Sequence, residues 1–333
     1  MPSQKERSPQ WRDGKFRNRL ERIDGPIWRA FGKFFFGGSK HRRPAAPIPV
    51  EPRVAADYAI PAANGLRVTW LGHSTTLLEV EGTRLLFDPV WAERASFVGF
   101  AGPKRFFPTP LPLGELPPID AIVLSHDHYD HLDRAFVELV AARGLRWLAP
   151  LGVGDWLRRW GVPAADITEL DWWESTTVGA TEGTMEIVLT PVQHWSGRRL
   201  DDRMETLWGG FAVLSPGFNV YFAGDTGYSP DFADTRARFA SRGGFDLALL
   251  PIGAYEPRWF MQLQHMNPDE AVLAHRDLGA RATLGIHWGT FELTDEPLDQ
   301  PPRDLAAARA KHGIGEDAFY VLPIGGTRKI APR

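Results

Sequence analysis

From residue 66 onward the chain reads as short apolar runs broken by turn-forming residues. "LRVTWLG" and "TTLLEVEGTRLLFDPV" alternate or run apolar, and with Glu81-Gly82 as a turn they predict a hairpin. "IDAIVLS" predicts a short buried strand. The "DRAFVELVAARG" that follows has helical spacing, with Asp133 as N-cap and Gly144 as the stop. "LRWLAP", "ITELDWW", "MEIVLTPV", "WGGFAVLSPGFNVYFAG", "FDLALLPIG" and "RATLGIHW" predict further strands. "GVGDWLRRWG", "NPDEAVLAHRDLG" and "PRDLAAARAKHG" predict helices. In the second of these Asn267 caps, Pro268 takes the first helical position and Glu270 completes a capping box. Strand-rich blocks recur in both halves with helices between them and without a short repeat. That order predicts an α/β sandwich, sheets packed together with helices outside.

Two stretches fall outside this rhythm. Residues 94–118, "RASFVGFAGPKRFFPTPLPLGELPP", are too rich in proline for regular structure and predict a long loop, a kind of segment that is usually functional or disordered. Residues 44–63 are rich in Pro and Ala and read as a strap. The division that follows is residues 1–63 as arm and strap, and 64–333 as one domain.

Composition adds little until it is divided. With 333 residues, 43% hydrophobic and 24% charged, the chain is ordinary for a soluble globular protein. It contains no run of about 18 apolar residues, so no transmembrane helix is expected. "MPSQKERSPQ" offers no apolar core for a secretory signal. A cytoplasmic location is the expectation. The net charge of -3 is unevenly spread: residues 1–43 hold 12 Lys/Arg against 4 Asp/Glu, and the remainder is acidic. The acidic body argues against nucleic acid as a partner. The basic, aromatic "PIWRAFGKFFFGGSKHRR" reads either as an arm packed on the domain or as a peripheral contact with an anionic membrane, where each Lys/Arg adds ~1 kcal/mol. With no cysteine there are no disulfides, and any metal site must use His and carboxylates.

Such residues are concentrated in "SHDHYDHLD", residues 125–133. His126 and His128 lie two apart as a strand runs out, so they project to one side; His131 and Asp130 follow in the turn, and Asp127 points the other way. His194, Asp225 and His287 likewise each lie just past the C-terminal end of an apolar strand. Strand ends gathered on one edge would bring them together, where α/β folds usually place ligands. Seven candidates are too many for one ion and suit two. His126, His128 and His194 are assigned to the first; Asp130, His131 and His287 to the second; and Asp225 to a bridge. Imidazole and carboxylate suit Zn2+, with Fe or Mn as alternatives. Asp88 and His73 are read as orienting these ligands from behind, although His73 reads equally as a satisfied core histidine. Lys104, Arg105 and Phe106 of the long loop are read as contacts for phosphate and acyl chain, against the plainer reading of a strap over a sheet edge. Tyr228 and Trp195 are candidate walls of the site. Tyr129 is expected to pack, and His41, His275 and His312 to be structural or superficial.

The same residues carry a family resemblance. "HDHYDH" with a later His, Asp and His resembles the metallo-β-lactamase pattern. "LRVTWLGHSTTLLEV", "GPKRF", "ELPPIDAIVLSHDHYDHLD", "ELDWWE", "QHWSGR", "YFAGDTGY", "PIGAYEPRWFM", "QHMNPDEAV" and "IHWGTF" resemble the N-acylphosphatidylethanolamine-hydrolysing phospholipase D family over about residues 64–325. "WRDGKFRN" is similar to a segment near that family's N-terminus. The resemblance implies an αββα sandwich of two mixed sheets packed face to face. It implies a phospholipid substrate cleaved to phosphatidic acid and an N-acylethanolamine by a hydroxide shared between two metal ions. It also implies a homodimer, and a substrate contact for His265, which joins Asp130 as a candidate catalytic residue. The alternatives are a hydrolase of another ester, a lactone or a cyclic phosphodiester, and a non-catalytic lipid-binding protein.

Overall fold

The computed structural model describes residues 4–21, 44, 46–60, 62, 65–179 and 185–332. Six strands, β3 (Leu66–Gly72), β4 (Thr75–Val80), β5 (Thr83–Phe87), β6 (Ala121–Val123), β7 (Arg146–Pro150) and β8 (Ile167–Leu170), lie side by side in chain order. The chain then builds a second sheet from β9 (Ser175–Val178), β10 (Met185–Thr190), β11 (Gly210–Leu214), β12 (Asn219–Phe222), β13 (Leu247–Pro251), β14 (Ala282–Ile286) and β15 (Phe319–Tyr320). It finally returns, and β16 (Thr327–Ile330) pairs antiparallel with β3 on the first sheet. Each sheet begins antiparallel and becomes parallel, at β5–β6 in the first and at β12–β13 in the second. Residues 66–87 form a three-stranded meander rather than one hairpin. Glu81-Gly82 turns between β4 and β5 as expected, and His73-Ser74 makes a second turn upstream.

The runs are apolar rather than alternating because both faces of the first sheet are covered. Leu78, Leu85, Phe87 and Val123 face the second sheet, where Phe87 meets Phe222 at a ring-centroid distance of 4.6 Å. Their neighbours Leu77, Leu86 and Ile122 face outward, in the same cluster as Phe136 of the helix Arg134–Val140. Each such side chain contributes ~1.5–3 kcal/mol by leaving water. Asp133 caps this helix by accepting from the backbone N–H of Ala135 and Phe136. The helix Pro268–Leu278 starts with the expected capping box of Asn267 and Glu270. The strands β9 and β16 and the helix Asp231–Arg238 were not foreseen from the pattern of the chain.

Residues 4–21 are not a loose arm. The ribbon β1 (Trp11–Arg12) and β2 (Lys15–Phe16) seats Phe16 fully buried, and the Phe16 N–H donates to the Met204 carbonyl at 2.8 Å. The strap lies along the first sheet: Glu51 N–H donates to Ile324, Arg53 N–H to Pro110, and Tyr58 is buried. The stretch 26–43, on which the membrane-contact expectation rested, and His41 lie outside the described residues. Among the described residues, no helix is long and apolar enough to cross a membrane.

Candidate metal centre

The strand ends do gather. His73 follows β3, Asp88 follows β5, Ser125 and His126 lie just beyond β6, His194 beyond β10, Asp225 beyond β12, and His287 follows β14. At three of these exits the chain turns through a left-handed residue, His73 (φ 54), Asp88 (φ 39) and His287 (φ 62). That conformation is costly for a side chain with a Cβ and is commonly retained at functional sites. Close backbone approach completes the edge. A Cβ on Gly224 would stand 2.6 Å from Ser125 Cβ, and one on Gly253 only 2.2 Å from the His287 carbonyl oxygen.

Hydrogen bonds fix the imidazole protons. His194 Nδ1 lies 2.9 Å from the Gln264 carbonyl, which can only accept, so Nδ1 carries the proton and Nε2 presents a lone pair inward. His131 Nδ1 donates in the same way to Asp88 Oδ2 at 2.7 Å. Asp88 also accepts from the Ser125 N–H and hydroxyl, at 2.7 and 2.6 Å. The Ser125 hydroxyl, having donated to Asp88, accepts from His126 Nδ1 at 2.8 Å, which leaves His126 Nε2 bare. Asp88 thus orients two rings, one directly and one through Ser125. His73 Nε2 donates to Asp130 Oδ2 at 2.9 Å, while the His73 carbonyl accepts from the His287 N–H.

Candidate ligand atoms converge in overlapping groups within which every one lies inside 4.8 Å of the others. They are His126, His128, His194 and Asp225; His73, Asp130, His131 and His287; and Asp225, His265 and His287. Nε2 of His126 and of His194 stand 2.8 and 3.3 Å from His128 Nδ1. Ligands arranged tetrahedrally about zinc at ~2.1 Å would be ~3.4 Å apart, so the spacing suits a common ion. Asp225 lies between the groups, Oδ2 3.1 Å from His131 Nε2 and Oδ1 3.1 Å from His287 Nε2. Buried polar atoms are nearly always paired. Yet His131 Nε2, His287 Nε2 and Asp225 Oδ1 are buried and lack a hydrogen-bond partner. A divalent cation fits that donor set.

The electrostatics agree. Burial holds His126 and His194 well below the usual imidazole range and His128 down to about 3, so these rings are neutral at pH 7 and each keeps an unprotonated nitrogen. At His287 burial also opposes charge, but Asp225 and then Asp130 outweigh it and lift the ring to about 9. Burial pushes Asp225 up, and His131 and His287 more than reverse this, holding it well below the carboxylate range. The carboxylates therefore call for positive charge at their centre.

The remaining expected residues take varied positions. Arg105 is 7% exposed and turned inward: Nη2 donates to the Val90 carbonyl at 2.7 Å, and the guanidinium lies 5.0 Å over the Phe291 ring. It supports the loop and does not present itself to a phosphate. Lys104 pairs on the surface with Glu93 at 2.6 Å. Phe106 is 38% exposed. The Tyr228 hydroxyl donates to Asp277 at 2.5 Å, and its ring stacks on Phe232. His265 is buried beside the centre, with Nε2 4.0 Å from Asp225 Oδ2 and Nδ1 unpaired. Trp195 lies edge-on to His128, ring centroids 4.3 Å apart. His275 meets the Thr283 hydroxyl, and His312 pairs with Asp269. Asp127 faces away from the centre and accepts from Gly197 N–H and the Thr206 hydroxyl.

Several supporting residues were not singled out in the sequence reading. Arg198 Nη1 donates to the carbonyls of Asp127 and Leu132, at 2.7 and 2.8 Å, and its guanidinium lies under the Tyr129 ring. It clasps both ends of the 126–132 loop. Its only hint was a cation inside "QHWSGR". Gln264 acts through its backbone, and Asn18 through a contact 176 residues away along the chain.

The chain matches a family described as "Beta-lactamase superfamily domain" over residues 83–288. It is 44% identical over 287 residues to the N-acyl-phosphatidylethanolamine-hydrolyzing phospholipase D 1 of Caenorhabditis elegans, covering 84% of this chain and 79% of that protein. It is also 44% identical over 332 residues to an uncharacterized protein of Mycobacterium tuberculosis, covering 97% and 84%. Among solved structures it resembles the isothiocyanate hydrolase from Delia radicum gut bacteria, with TM-score 0.64 and 21% identity over 80% of this chain and 100% of that one, a likeness of fold.

Proposed function

The chain belongs to the β-lactamase superfamily and, within it, to the N-acyl-phosphatidylethanolamine-hydrolysing phospholipase D family of metal-dependent hydrolases, and from that premise we propose that it is a di-zinc phosphodiesterase cleaving N-acylated ethanolamine phospholipids on the head-group side. The observation that carries the reading is the sharing of Asp225 and His287 between ligand groups, which suits two neighbouring ions rather than one. His126, His128 and His194 would hold the first, Asp130, His131 and His287 the second, and Asp225 would face both. Two such ions supply Lewis acidity and lower the pKa of water toward ~7.

The chain's own residues do the rest. Asp88 and Ser125 fix the proton positions on His131 and His126, so that Nε2 of each stays available. Asp130 is steered by His73. His265, buried beside Asp225 with its Nδ1 unpaired, stands where its ring can hydrogen-bond the departing oxygen. In the reaction, oxygen from water joins phosphorus, the bond from phosphorus to the ethanolamine oxygen breaks, and that oxygen takes up a proton. Apolar tips near the centre support an acyl-chain substrate. Phe97 is 77% exposed with its ring 6.4 Å from that of Tyr129, and Leu200 is 99% exposed two residues from Arg198.

The test is hydrolysis in 18O-labelled water by the zinc-loaded protein. The expected result is release of N-acylethanolamine with the label in phosphatidic acid. Label in the alcohol, or turnover confined to a lactone panel, would overturn the substrate assignment. Fewer than about one zinc per chain, with no activity on zinc addition, would favour the silent lipid-binding reading instead.

A further inference from the structure

We infer that Asn18 is a positioning residue for the metal centre, acting through the backbone of His194. At residue 194 the ladder of β10 has ended, so neither backbone group of this histidine has a strand partner. The Asn18 side chain supplies both: Nδ2 donates to the His194 carbonyl at 2.6 Å, and Oδ1 accepts the His194 N–H at 3.2 Å. One carboxamide does here what a neighbouring strand would do. The adjacent pair repeats the arrangement in reverse. Gln193 Oε1 accepts the Leu20 N–H at 3.3 Å, and Gln193 Nε2 donates to the Leu20 carbonyl at 3.1 Å. Each segment thus lends one amide side chain to the other's backbone.

The clasp can fix an angle because both sides of it are anchored. Toward the N-terminus, Phe16 is fully buried, Arg17 N–H donates to Gln10, and Arg19 pairs with Asp231 and Asp234. Toward the centre, Gln193 N–H donates to the Thr226 hydroxyl, and His194 Nδ1 is held by Gln264. Ring and main chain of His194 are therefore gripped independently, the ring by the segment after Met261 and the main chain by the first twenty residues. A metal ligand needs both, since the direction of its lone pair depends on the backbone as well as on the ring torsion.

The inference rests on the metal assignment above, and the experiment separates the two. Zinc-loaded full-length wild type, Asn18→Ala, Asn18→Asp and Arg19→Ala are challenged with a chelator, and zinc release is followed alongside melting of the stripped proteins. Asn18→Ala is expected to weaken zinc retention about 10- to 100-fold, as loss of an orienting partner does. Asn18→Asp, which keeps the acceptor but turns a carboxylate toward the His194 carbonyl, is expected to be no better. Arg19→Ala removes only the half-exposed ion pairs to Asp231 and Asp234, leaves buried Phe16 and the Asn18 clasp in place, and should release zinc far more slowly than Asn18→Ala. If Asn18→Ala releases zinc at the wild-type rate, or Arg19→Ala loses it equally fast, the residue is a plain anchor and the inference fails while the metal centre stands. If wild type takes up no zinc, the metal reading itself falls, and this inference with it.

Discussion

The loops 125–133 and 94–107 are the two most suggestive stretches of the chain, and they are built on opposite plans. In the first, nearly every side chain is committed: the histidines face the centre, Asp127 holds the segment after His194, Asp133 caps a helix, and Arg198 clasps the loop from beneath. In the second, neighbours part company. Lys104 reaches solvent, Arg105 is buried under backbone carbonyls, and Phe97 and Phe100 stand out at 77% and 83% exposure. A strand end with fixed alternation dictates direction, whereas an irregular loop does not.

The contrast can be broken in several places. His128→Ala is expected to reduce turnover to that of a metal-free blank, with metal lost and the far-UV dichroism retained; full activity in metal-free buffer would refute the ligand assignment. Asp88→Asn turns an NH2 group toward His131 and Ser125, and should weaken metal binding by ~10–100-fold at unchanged fold, measured by competition with a chelating dye. Paired Phe97→Ser and Phe100→Ser should slow hydrolysis of phospholipid in vesicles by roughly tenfold, or ~1.4 kcal/mol, and leave a short-chain soluble phosphodiester untouched; equal loss on both would make the tips part of the scaffold. Arg105→Ala should lower stability by ~2 kcal/mol through its lost buried hydrogen bonds with KM unchanged, whereas Lys104→Ala should stay within ~0.5 kcal/mol. A raised KM in the first without a change in melting would return Arg105 to the substrate.

These expectations also mark where the sequence could be read. His126, His128 and His131 were legible because their spacing acts through covalent geometry at the end of a strand. Asn267 and Glu270 were legible for the same reason, a cap being a local object. The sandwich followed from the order of blocks, and its continuous apolar runs from having both faces covered. What stayed hidden depended on distant partners. "RDGKFRN" shows an amide among charges, and only folding brings Asn18 beside His194. Lys104 and Arg105 are chemically alike, and their different fates are decided by one step of register in a loop whose path depends on bridges from Arg94 to Lys104 and from Arg105 to Phe291. The second sheet's edge strand, "STTV", is too short and too polar to stand out.

The pairing of β16 with β3 has a consequence for biosynthesis. The strand that opens the first sheet waits, through the synthesis of the whole second sheet, for a neighbour made after it. Until Thr327–Ile330 emerge, Leu66–Gly72 offers an open margin to whatever strand is near, and the nascent chain is exposed to mispairing there. Loss of Thr327–Ile330 would prolong that hazard for the lifetime of the molecule.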